Sequence, residues 1–158
     1  MNFIGKIKKS DNSSNYYLFV LIGFCVALRI LTPQIIGFGG DDAVESWGMG
    51  RRLILDTDYY LIHRTARFGT TIPVYLTQLL FGTHPLVYYI APAVASVLQL
   101  IFFYKIAGLL KGASFAFVSS LVFLSFPQMI RDVSHPRVSV FSSMFFLISL
   151  YFALKFYM

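Results

Sequence analysis

Four apolar runs, at 16–36, 86–109, 114–130 and 138–157, dominate the chain, and together they hold only three charges, Arg29, Lys105 and Lys155. A helix needs roughly 20 apolar residues to cross a hydrocarbon core of about 30 Å. Inside lipid a spanning segment has no water to bond, so it must satisfy its own backbone groups. An isolated strand cannot do this and a helix can. The four runs therefore predict an all-α polytopic membrane protein with four transmembrane helices, built as a single membrane domain over 1–158. Composition agrees, since 57% of the residues are hydrophobic and only 13% are charged, against about 25% charged in soluble domains.

The N-terminus, MNFIGKIKKSDNSSNYY, is basic and runs into the first apolar stretch. That resembles a signal peptide, but the run is longer than a secretory core and no small-x-small cleavage motif is evident after it. It reads as an uncleaved first span. Cys25 is the one cysteine, so no intramolecular disulfide can form. The formal charge of +6 raises nucleic acid as a partner. The positive charges lie between apolar segments, however, which orientation in a membrane explains better.

Charge distribution orients the spans. With the N-terminus in the cytoplasm, Lys6, Lys8, Lys9, Lys105, Lys111 and Lys155 all fall inside near span ends. Arg51, Arg52, Arg64, Arg67, Arg131 and Arg137 fall outside, offset by Asp41, Asp42, Glu45, Asp56, Asp58 and Asp132. The inner side is strongly positive and the outer side roughly neutral, as positive-inside orientation requires. The expected location is a plasma or inner membrane. Arg29 lies near the outer end of its span and can snorkel, or can face the bundle and meet an anionic substrate.

The first outer loop, 37–84, is long. Within it, 41–54 has helical spacing, with Asp41, Glu45, Gly48 and Arg52 on one face and Ala43, Val44, Trp47 and Ile54 on the other side. That predicts a helix lying in the membrane interface with Trp47 near the headgroups. A second apolar piece, 71–81, carries Pro73 near its start and is too short to span. It predicts an interfacial or re-entrant helix.

Chemistry concentrates in the outer loops. Asp41 and Asp42, partly desolvated near the membrane face, can serve as a general base toward a hydroxyl or amine. They can equally cap the helix at 41–54, where carboxylates meet the positive end of its dipole. All lysines are inside and all arginines but Arg29 outside. Arginine grips phosphate in two-point fashion and lysine does not. Arg52, Arg67 and Arg137 are thus candidate binders of a phosphate-bearing substrate, with Glu45 and Asp132 as further substrate contacts. His63, His84 and His135 lack ligand spacing, and Asp56-Thr-Asp58 alone is weak evidence for a metal. No cofactor motif, nucleophile elbow or phosphate-cradling glycine loop is present.

Taken in order, an outer acidic pair, RFGTTIP (67–73), LLFG (79–82), FYKIAGLLKG (103–112), LSFP (124–127) and SVFSSMFFLISLYFALK (139–155) carry a resemblance. The chain from Gly37 onward resembles the N-terminal part of the integral-membrane, GT-C-type glycosyltransferases. In style it is most like the protein O-mannosyltransferase and lipid A aminoarabinose transferase group. The resemblance implies a polyprenyl-phosphate sugar donor and an inverting transfer to an acceptor on the outer membrane face. It implies Asp41 as the base, with Asp42 in the usually acidic second place. The position before the fourth span, often acidic in the family, reads His135-Pro136-Arg137, with Asp132 earlier. The family has more spans and usually a C-terminal outer domain, so this chain is expected to be the N-terminal portion of a larger fold. Two other readings stay open: a non-enzymatic assembly or lipid-binding subunit, and a transporter fragment. A transporter should carry ionisable or broken-helix features at mid-membrane depth, and the nearly charge-free spans speak against it.

Overall fold

The computed structural model describes residues 12–31, 68–84, 87, 89–126, 129 and 138–157. These form five helices, α1 (Asn12–Leu31), α2 (Phe68–Phe81), α3 (Ile90–Lys111), α4 (Ala113–Ser125) and α5 (Val138–Tyr157). The described residues include no strand. Ser14–Leu31, Ile90–Lys111 and Ser139–Tyr157 are long and apolar enough to cross a membrane. The described residues are therefore all-helical and of the integral-membrane type.

α3 is the hub, packing against each of the other four helices. It runs antiparallel to α1. The Tyr104 hydroxyl, late in α3, donates to the Ser14 carbonyl at 2.9 Å, and Cys25, late in α1, lies 3.9 Å from the Ser96 hydroxyl early in α3. Between these points Leu21, Cys25, Leu100, Tyr104, Ala107, Ala116 and Leu124 form one buried cluster shared by α1, α3 and α4. The Tyr104 bond matters beyond its modest strength, because it fixes the axial register of α1 on α3.

α3 turns into α4 through Gly112, which has φ +85° and ψ 180°. This region of backbone space is essentially reserved for glycine. The Gly112 N–H donates to the Gly108 carbonyl at 2.9 Å and closes α3. The two helices come together across small residues, with Gly108 facing Ala116, and further out Phe103 stacks on Phe123 with centroids 4.4 Å apart. Gly112→Val should cost of order 1–3 kcal/mol, the usual penalty for forcing a side chain into that conformation. Thermal unfolding in detergent checks this; a variant as stable as wild type would show that the turn relaxes freely.

α4 differs from the expected third span at 114–130. It ends at Ser125, and Phe126 is extended with φ −63° and ψ 126°. The residue after Phe126 is Pro127. A proline disfavours helical geometry in the residue before it, because its ring crowds that residue's backbone and Cβ. Thirteen residues rise only about 20 Å. Phe123 is level with Phe103, so α4 stops roughly 15 Å short of the start of α3 along its axis. The helix thus breaks within the apolar depth of the bundle, a feature hydropathy did not reveal.

α5 runs parallel to α3. The Gln99 amide donates to the Val140 carbonyl at 2.6 Å and to the Ser143 hydroxyl at 3.0 Å. Nearer the far end Phe102 meets Tyr151 edge-on at 5.5 Å. The second expected short helix, at 71–81, is present as α2 and starts earlier, at Phe68. Pro73 lies inside it, and packing outweighs that local cost. Thr70, Thr71, Val74 and Gln78 recur at helical spacing and are buried. Val74 joins Ala91, Ala95, Val140, Phe141 and Met144 in a second core cluster, and Gly69 lies against the Phe145 ring. α2 is a flank of the bundle, seated on α3 and α5. The opposite side of α2 exposes Ile72, Leu76, Leu79 and Leu80.

The bundle consequently has two unlike ends. The start of α1, the Gly112 turn, Lys105, Lys111 and Lys155 lie at one. The end of α1 and the starts of α3 and α5 lie at the other, with α2 beside them.

Candidate functional site

Asp41, Asp42, Glu45, Arg52, Arg67, Asp132 and Arg137 lie outside the described residues, as does the helix expected at 41–54. None of the chain's seven acidic residues falls among the described ones. What the fold determines is where the segments bearing them attach. Segment 32–67 joins α1 to α2. Arg67 directly precedes α2, and Arg137 directly precedes α5. The two helices pack together, with Gly69 of α2 against Phe145 of α5. Phe145 is seven residues into α5, about 10 Å along its axis. The start of α2 is thus level with Phe145, about 10 Å deeper than the start of α5, and Val74 further along α2 packs on Val140 and Ala91 near the starts of α5 and α3, so the two candidate phosphate-binding arginines precede packed helices whose starts lie at different depths.

The seam between α2, α3 and α5 also carries polar side chains that the sequence reading missed. Thr70, Thr71 and Gln78 on α2 and Gln99 on α3 are all at least 97% buried, as is Ser96 on the side of α3 that faces Cys25 of α1. Gln99 is 1% exposed, and its amide nitrogen is satisfied by α5. Its carbonyl oxygen has no hydrogen-bond partner among the described residues, nor does the hydroxyl of buried Ser120 on α4. A buried acceptor without a partner costs about 1–3 kcal/mol, so Gln99 is an expensive residue to keep at this depth. The Ser143 hydroxyl, accepting from Gln99, in turn donates to the Ser139 carbonyl at 2.7 Å. The signal available in the sequence was a glutamine inside an apolar run.

Chemically, the described residues form a scaffold. They contain no carboxylate to act as a base. No group of three or more His, Cys, Asp or Glu that could hold a metal ion occurs among them. His84, expected in the outer loop, is exposed just after α2. Arg29, near the end of α1 and half-buried, is the one arginine among the described residues.

No family model, curated protein or solved structure matches the chain.

Proposed function

We propose that this chain is the N-terminal part of a membrane glycosyltransferase that moves a sugar from a polyprenyl-phosphate donor to an acceptor on the outer face of the membrane. α1, α3, the apolar stretch 114–130 that α4 begins, and α5 are its four membrane-crossing segments, and the lysine end faces the cytoplasm. Asp41 is the general base and Asp42 orients it. Arg67, Arg137 and Arg52 hold the leaving phosphate, and Glu45 and Asp132 contact substrate. Partners are the lipid-linked donor, membrane lipid and an acceptor bearing a hydroxyl or amine.

The observation that supports this reading is that Arg67 and Arg137 directly precede α2 and α5, two helices that pack on each other. α1 and α3 are antiparallel, so segment 32–67 and α2 together must return to the side where α1 leaves. Segment 32–67 has no apolar run long enough to cross. This favours α2 as a re-entrant or interfacial helix and keeps both charged segments on one side.

A second reading has one observation in its favour. The break of α4 at Phe126, level with buried Gln99, is the kind of interrupted helix that builds transporter sites. The assay that separates the readings uses vesicles carrying the full reading frame. Transfer of sugar from polyprenyl-phosphate to acceptor is the expected result. Solute uptake without transfer would replace the first reading by the second.

A further inference from the structure

At the lysine end, Lys105 extends over two rings at once: its ammonium lies 5.6 Å from the centroid of Phe102 on its own helix and 5.6 Å from that of Tyr151 on α5. An ammonium held over ring faces is positioned without using its hydrogens on a carboxylate. Lys155 follows Tyr151 by four residues, so it lies on the same face of α5, one turn further out. Both lysines are exposed. Beside them Phe152, 57% exposed, touches Phe102, and Phe156 is 86% exposed. The groove between α3 and α5 therefore offers two cations above an aromatic wall.

Counter-charge from the described residues is absent there. The described residues contain no Asp or Glu. The segment entering this end of α1 holds one acid, Asp11, against Lys6, Lys8 and Lys9. A second copy of the chain would bring the same lysines and repel. A bilayer lipid with an anionic head meets both requirements, placing phosphate between the lysines and acyl chains along Phe152 and Phe156. We propose that this groove binds the phosphate headgroup of an anionic phospholipid in the leaflet at the lysine end. The proposal is independent of the chemistry at the opposite end.

Native mass spectrometry of the full chain with phosphatidylglycerol and phosphatidylcholine tests it. A basic residue near an anionic surface is worth roughly fivefold in affinity. Wild type should retain phosphatidylglycerol preferentially, Lys105→Gln and Lys155→Gln should each lose roughly fivefold, and the double variant roughly 25-fold. Lys105→Arg, which keeps charge and ring stacking, should retain it. Lys111→Gln is the control for bulk charge, because Lys111 lies over Phe115 on the α3–α4 hairpin, away from the groove. Equal retention of the two lipids by wild type would overturn the site. So would a loss in Lys111→Gln as large as in Lys105→Gln, since that would reduce the effect to net charge.

Discussion

Asp41→Asn should lower sugar transfer by roughly 10²–10⁴-fold, the usual contribution of a general base. The substitution keeps the size of the side chain and removes its ability to take a proton. Helix capping makes the opposite forecast, because Asn caps about as well as Asp. The variant therefore separates two roles that the sequence leaves open. Asp42→Asn should cost less, because an orienting carboxylate can be replaced in part by an amide. The measurement is initial rate in reconstituted vesicles with a polyprenyl-phosphate sugar. Equal rates for wild type and Asp41→Asn would remove Asp41 from the mechanism.

Arg67→Lys and Arg137→Lys should each raise the KM for the lipid-phosphate donor by roughly tenfold. Lysine keeps the charge and gives up the planar fork, so one charge-assisted hydrogen bond is lost, worth about 1.5–3 kcal/mol in full. The helices that these arginines precede, α2 and α5, pack on each other. A donor KM unchanged in both variants would show that the arginines serve only the charge balance of the outer loops. A fall in kcat with KM unchanged would place them on the transition state instead.

Much of the scaffold was legible in the sequence, and for a physical reason. Apolar length sets helices in lipid, and the lysines at 105, 111 and 155 cluster at one end of the bundle as their spacing implied. The tight turn at Gly112 was legible too, because glycine between two apolar runs has few other uses. The length of α4 was not. Hydropathy continues through Phe126 to Ile130, whereas the backbone responds to the ring of Pro127, a steric effect that hydropathy does not register. The Gln99 contact was hidden for another reason. Its partner is a backbone carbonyl 41 residues away, and a carbonyl has no sequence signature. As for the candidate site, sequence identified residue types and order. The fold adds that the helices following Arg67 and Arg137 pack together, while the arginines themselves and Asp41, Asp42, Glu45, Arg52 and Asp132 lie outside the described residues.

The central claim is that both charged segments lie on one face of the membrane and the lysines on the other. Single cysteines at Ser46, Ser134 and Ser10, probed in sealed vesicles with an impermeant thiol reagent, test it most directly. Cys25 is fully buried, so the background is silent. Ser46→Cys and Ser134→Cys should label from outside, while Ser10→Cys should label only after the membrane is opened. Labelling of Ser46→Cys and Ser134→Cys from opposite sides would mean that the segments cannot share a site. Labelling of Ser10→Cys alone from outside would invert the protein and end the proposed outer-face chemistry.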